Sequence, residues 1–252
     1  MKRILSLVLL LLAATARGDL YTLFDDDAGT LPADQGWLFY GGVNDIQQNL
    51  TSEGVRLTSD NGAQGGYSSH LPLFNIPTNP AWPVLDSNEG FTLFFELQLF
   101  DESHLYDARS GFSVLLFDAN AFGVELSFWL DEIWVKDDDG VFSHAEGVFY
   151  DTTAALTSYA LHLENGQYSL SADGSPLLNG SLRDYSAFGT PYDLSSYLFL
   201  GDDTTSAGAD VLLGDISLLT GPMADPVPEA PAWLLLLAAL PLIRRNRKSL
   251  WD

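Results

Sequence analysis

Two alternating segments carry the residue types that could do chemistry on a polar ligand. Phe91, Leu93, Phe95, Leu97 and Leu99 alternate with Thr92, Phe94, Glu96 and Gln98. Phe122, Val124, Leu126, Phe128 and Leu130 alternate with Gly123, Glu125, Ser127 and Trp129. Successive side chains of a strand point to opposite faces, so each apolar set predicts a core face and leaves the other set outside. Glu96, Gln98, Glu125, Ser127 and Trp129 are therefore the candidate carbohydrate-binding residues. An indole face offers an apolar surface to the C–H groups of a sugar ring, and the carboxylates and amide can bond its hydroxyls. The plainer reading is a solvated sheet face with one aromatic covered by a loop. A catalytic reading uses Glu96 and Glu125 as a carboxylate pair. A glycoside hydrolase needs two such groups roughly 5–9 Å apart, so their strands would have to be neighbours.

Acidic residues give a second constellation. Asp25, Asp26 and Asp27 follow the first predicted strand, and Asp215 lies in the last. If the terminal strands pair, Asp25, Asp26 and Asp215 come together as oxygen ligands for a structural calcium ion, which takes six to eight oxygens. Asp202 and Asp203 form a second possible group. The alternative is solvated turns, where Asp is a preferred residue. Other chemistries lack their residues. His70, His104, His144 and His162 show no paired zinc spacing, and no Gly-x-Ser-x-Gly elbow or phosphate-cradling loop is present. The chain has no cysteine, which excludes disulfides, thiolate metal sites and a cysteine nucleophile.

The elements that must position these residues read as strands throughout. Asp139-Gly140, Asn165-Gly166, Asp173-Gly174 and Asn179-Gly180 are turn signals between short alternating runs. Asp139-Gly140 is expected to close a hairpin between residues 133–135 and 141–142. Closely spaced strands without helices predict an all-β fold, an antiparallel β-sandwich of jelly-roll type. Residues 71–86, with four prolines, form the main irregular insertion.

Both ends read as addresses. Lys2-Arg3, an apolar run and Ala14-Thr15-Ala16 form a secretory signal peptide over residues 1–16. The C-terminal run 232–243 is about 18 Å long as a helix, short against a hydrocarbon core of roughly 30 Å. Arg244 and Arg245 follow it as a basic stop. The body between, residues 17–228, holds five Lys and Arg against thirty-two Asp and Glu, a net charge near −27. Such a body repels nucleic acid and anionic membrane.

Three resemblances extend this reading. The segment Leu161-His162-Leu163-Glu164-Asn165-Gly166-Gln167-Tyr168-Ser169-Leu170, continued by Asp173-Gly174, resembles the central hairpin of laminin-G-like, concanavalin A-like jelly rolls. Leu198-Phe199-Leu200-Gly201-Asp202-Asp203 and residues 211–219 are similar to that family's last two strands. The resemblance implies glycan or protein binding, or glycan hydrolysis, and a shared fold does not choose between them. The Glu-x-Asp-x-x-Glu pattern of jelly-roll glucanases is absent, since Ser127 and Leu130 follow Glu125 at its acidic positions. Val227-Pro228-Glu229, an apolar run and an Arg-rich end resemble the PEP-CTERM sorting tail, with Ala230 where that motif has a second proline. That tail implies export by a Gram-negative bacterium that makes exopolysaccharide, a transient membrane anchor, and processing by an exosortase.

The expected organisation is a signal peptide at 1–16, a jelly-roll sandwich at 17–220, a linker at 221–228 and a sorting tail at 229–252. The expected role is a non-catalytic cell-surface or matrix protein that binds extracellular polysaccharide. The alternatives are a structural matrix protein without glycan binding, and a glycoside hydrolase using Glu96 and Glu125.

Overall fold

A computed structural model describes residues 18–41 and 46–221. The signal peptide at 1–16 and the tail at 229–252, with Val227, Pro228, Glu229, Arg244 and Arg245, lie outside the described residues. Among the described residues, no helix is long and apolar enough to cross a membrane.

The chain forms two large antiparallel sheets packed face to face. The first runs, edge to edge, Ser175–Ser181, Gln167–Ala172, Thr157–Glu164, Phe91–His104, Ala207–Thr220, Gly54–Ser59 and Ile46–Thr51. Leu20–Phe24 also pairs with Ala207–Thr220. The second runs His144–Phe149, Glu132–Lys136, Phe122–Phe128, Ser113–Phe117, Leu198–Asp202, Gly65–Ser68 and Leu38–Tyr40, and Arg183–Asp184 adds to Phe122–Phe128.

The alternating pattern builds the core as expected. Phe91, Leu93, Phe95, Leu97 and Leu99 face inward from the first sheet and meet Val124, Leu126 and Phe128 of the second. The Phe95 ring meets Phe128 edge-on at 6.2 Å. Phe122 departs from the pattern: it begins its strand at the sandwich end and is exposed. Each buried aromatic or branched side chain here contributes roughly 1.5–3 kcal/mol of transfer free energy.

Two of the four turn signals close tight two-residue hairpins, and a third, Asp139-Gly140, lies in the longer loop of another. Asn165-Gly166 and Asp173-Gly174 adopt left-handed φ values of 50° and 75°, and 47° and 75°, which a two-residue turn requires. Asn179-Gly180, expected as a turn, lies inside the strand Ser175–Ser181, because pairing with Gln167–Ala172 fixes it extended. The hairpin expected around Asp139-Gly140 also differs. Glu132–Lys136 pairs with His144–Phe149, and residues 137–143 form a loop whose Phe142 leaves the sheet for a second apolar cluster.

That second cluster decides the shape of the site. Leu115, Phe117, Tyr185, Leu194, Tyr197 and Phe199 are buried together on the outer face of the second sheet. They hold the segment between Arg183–Asp184 and Leu198–Asp202 against that face. The proline-rich insertion is tied down beside it: Trp82 Nε1 donates to the Ser196 carbonyl at 2.6 Å, and Thr78 Oγ1 to the Gly36 carbonyl at 2.7 Å.

Candidate functional site

The two predicted site strands belong to different sheets. Phe91–His104 is central in the first and Phe122–Phe128 in the second. Their outer faces therefore look away from each other across the core. Glu96 and Gln98 lie on one side of the sandwich, and Glu125 and Ser127 on the other. This corrects the expectation of a shared face, and Glu96 with Glu125 cannot act as a hydrolase pair. On the first sheet, Glu96 accepts a bond from Ser158 Oγ at 2.9 Å and borders a cavity of about 620 Å³ with Ser158, Ser171, Asp173 and Asp215. Gln98 Nε2 donates to the Thr153 carbonyl.

Trp129 is not an open platform. His104 stacks on its ring at 4.3 Å with planes 9° apart, while Trp134 and His144 meet it edge-on. Its Nε1 donates to the Arg109 carbonyl at 2.8 Å. One ring face and the indole N–H are already engaged.

Terminal-strand pairing does bring the acidic residues together. Phe24 sits opposite Ile216, so Asp25 and Asp26 arrive beside Asp215. The three residues offer carboxylate oxygens within 4.8 Å of one another. Asp26 N–H donates to Asp215 Oδ1 at 3.0 Å. Burial, then repulsion from Asp215, Asp27 and Glu96, raises the Asp26 carboxyl. Three carboxylates at that spacing could hold a cation. Asp202 and Asp203 do not form a second such group, since Asp202 sits near Ser59 on the inner side while Asp203 reaches the outer face.

The outer face of the second sheet carries a cleft of about 630 Å³. Leu71, Leu73 and Phe74 of the proline-rich insertion form one wall, and Thr190, Pro191 and Tyr192 the opposite one. The sheet supplies Leu38, Tyr40, Ser68, Leu115 and Phe199. Leu73, Phe74 and Tyr40 are 88%, 69% and 53% exposed, so apolar and aromatic surface is offered outward here. Asp203 and Gln64 add polar groups, with Gln64 Nε2 donating to the Asp203 carbonyl at 2.7 Å.

Beneath Asp203 lies a buried ionic cluster that sequence reasoning passed over. Leu126 pairs with Val135, so the next residues out, Glu125 and Lys136, are opposite each other. The Glu125 carboxyl touches the Lys136 ammonium, but without a hydrogen-bonding angle, so both of its oxygens are buried without a well-formed bond. Lys136 Nζ donates to Asp203 Oδ2 at 3.0 Å, and Tyr192 Oη donates to the same oxygen at 3.0 Å. Tyr185 Oη donates to the Lys136 carbonyl at 2.6 Å, and the Phe142 ring lies 5.8 Å from Nζ. Two carboxyls share one ammonium, so their environments push them apart. Burial, and then Asp203, push the Glu125 carboxyl up to about 8. Burial, the largest influence, would raise Asp203 too, but the Lys136 charge together with the polar contacts of Glu125, Lys136 and Tyr192 outweighs it and holds Asp203 below the usual carboxylate range. Burial would lower Lys136, and Asp203 with Glu125 reverse that. These directions favour a protonated Glu125 beside a charged Lys136 and a charged Asp203. The available signal was Lys136, a rare cation in phase with the outer-face residues of an apolar strand.

No protein-family model matches the sequence, and no curated protein matches it. Solved structures do match in shape. The conserved carbohydrate esterase vb_24B_21 from Shiga toxin-encoding bacteriophage phi24B is 13% identical with a TM-score of 0.51, covering 81% of this chain and 100% of that one. The Crh5 transglycosylase in complex with NAG is 11% identical with a TM-score of 0.50, covering 82% and 87%. A protein with a galectin-like fold from Bacillus subtilis is 12% identical with a TM-score of 0.45, covering 81% and 97%. The shared feature is the β-sandwich fold. At these identities the likeness concerns the fold alone.

Proposed function

We propose that the protein is an exported carbohydrate-binding protein that holds extracellular polysaccharide in the cleft over its second sheet. One observation carries the reading: the cleft pairs outward aromatic and apolar groups with a few fixed polar ones, the usual composition of a ligand site. The fold it shares with a carbohydrate esterase and a transglycosylase supports a sugar-related role. Non-catalytic binding is favoured over hydrolysis by the carboxylates themselves. Among the described residues, Asp203 is the only Asp or Glu lining the cleft, and its companion Glu125 is fully buried behind Lys136. Glycoside hydrolysis by a carboxylate pair needs two that reach the same bond.

The N-terminal signal and the PEP-CTERM-like tail supply the delivery in this proposal. Export, a transient membrane anchor and exosortase processing would then deliver the body to the surface or matrix of a Gram-negative cell. A calcium ion held by Asp25, Asp26 and Asp215 would stabilise the joint between the first and last strands, at the far sheet from the cleft.

A glycan array followed by calorimetry on the full-length protein tests the reading. Tyr40→Ala and Phe74→Ala should each weaken binding roughly five- to tenfold, the equivalent of about 1–1.4 kcal/mol of lost stacking. Unchanged affinity in both variants would remove the cleft as the site. Release of shortened products would replace binding with catalysis.

A further inference from the structure

The charge of the cleft selects among glycans. Among the described residues its only charged lining group is Asp203, and its other polar side chains, Tyr40, Gln64, Ser68, Thr190, Tyr192 and Tyr197, are neutral. No described Lys or Arg lines it. The cations of the described body are engaged elsewhere. Arg56 pairs with Asp210 at 2.5 Å in the first sheet. Arg183 pairs with Glu146 and Asp137. Arg109 donates to the Ala108 carbonyl and is not part of the lining. Lys136 lies beneath the cleft and is already held between Glu125 and Asp203.

Asp203 itself is fixed as an acceptor. Lys136 keeps it ionised, and the Tyr192 hydroxyl and the ammonium orient it. An ionised carboxylate accepts hydrogen bonds and donates none. Its outward edge can take the hydroxyl protons of a neutral sugar, whereas a uronate carboxylate or a sulfate would meet that edge as the nearer, like charge, with the balancing Lys136 ammonium buried behind it. Recognition of such anions relies on Arg or Lys forks, and the described lining has none. Outside the cleft, the excess of acids over cations in the body adds a repulsive field of the same sign.

We propose that this cleft takes glycans without acidic groups and rejects uronate- and sulfate-bearing ones. The proposal rests on the carbohydrate-binding reading and can fail separately from it. The test titrates the full-length protein with gluco- and mannohexaose, and with a mannuronate hexamer and a sulfated hexasaccharide of the same length. Each titration is run at 0.15 M and 0.5 M salt. A neutral hexamer should bind, and the acidic ones should be at least thirtyfold weaker at both salts. Salt at 0.5 M screens the distant charges and leaves the contact with Asp203, so the discrimination should persist. Leu73→Lys adds a cation at the exposed rim. It should raise the ratio of mannuronate to neutral-glycan affinity at least fivefold, whatever it does to neutral binding itself. Acidic hexamers that bind as tightly as neutral ones, or do so at 0.5 M salt, would overturn the proposal and leave carbohydrate binding standing. A Leu73→Lys variant with an unchanged ratio of mannuronate to neutral affinity would overturn it in the same way. Neutral binding that survives both Tyr40→Ala and Phe74→Ala intact would place the sugar elsewhere and overturn it as well. Silence from every glycan would overturn both readings.

Discussion

Replacing Glu125 with glutamine tests whether the buried cluster carries a proton at neutral pH. In the folded protein the Glu125 carboxyl is pushed up to about 8, first by burial and then by Asp203. In the unfolded chain it ionises near 4.3. Between those values the folded state holds a proton that the unfolded state has released. Stability therefore falls as pH rises through this window, by about 1.4 kcal/mol per pH unit, and levels off above pH 8. Across the window the loss is on the order of 5 kcal/mol. Below about pH 4.3 both states are protonated and the loss disappears. The amide introduced by Glu125→Gln would keep the shape of the protonated acid, with its N–H toward Asp203 and its oxygen toward Lys136, but it has no proton to lose. Asp202, also raised to about 8 by burial, gives both proteins the same slope and drops out of the difference. Urea unfolding at pH 5, 6.5, 8 and 9 reads the result. The variant should match wild type within about 1 kcal/mol at pH 5 and exceed it by several kcal/mol at pH 9. Parallel stability profiles from pH 5 to pH 9 would refute the assignment of the proton to Glu125.

Lys136→Met should destabilise the fold by roughly 3–5 kcal/mol at pH 7, because it strands the Asp203 charge in a buried site, and calorimetry would show a correspondingly lower Tm. A loss below about 1 kcal/mol would mean that the cluster is hydrated rather than buried. Trp129→Ala should cost about 2–3 kcal/mol through lost packing on His104 and Trp134, yet leave glycan affinity within twofold. A tenfold affinity loss at unchanged stability would return Trp129 to the binding surface. Calcium should raise the Tm by several degrees, and Asp215→Asn should abolish that rise; equal responses in both proteins would place the ion elsewhere.

Much of the sandwich was legible because its signals are local. Alternation named the inward residues of Phe91–His104 and of Phe122–Phe128, and the Asn-Gly and Asp-Gly pairs at 165–166 and 173–174 have few other conformations that suit them. Asn179-Gly180 shows the limit of that signal. An Asn-Gly pair permits a turn, but the cross-strand bonds to Gln167–Ala172 hold this one extended. The pairing of first and last strands, which joins Asp25 and Asp26 to Asp215, followed from jelly-roll closure and not from any local pattern.

The candidate site was less legible for a geometric reason. Alternation says which side chains share a face of one strand; it does not say which sheet the strand joins. Glu96 and Glu125 occupy equivalent outward positions on two strongly alternating strands, yet the core of both sheets lies between them. The cleft draws its walls from residues 71–74 and 190–192, irregular segments with no periodicity to read. Its floor depends on tertiary packing. Tyr185, Tyr192 and Phe142 leave the sheet order to cover Lys136, and only that cover makes the Lys136–Asp203 contact buried. A surface ion pair would contribute at most about 1 kcal/mol and leave both partners free to move. Burial changes its role: with the Tyr192 hydroxyl on Asp203 itself and the Tyr185 hydroxyl on the Lys136 carbonyl, Asp203 meets the cleft in one orientation. A rigid, ionised acceptor set among neutral groups can discriminate between ligands by charge, which is why, on the proposed carbohydrate-binding reading, the charge of the glycan is the property to test.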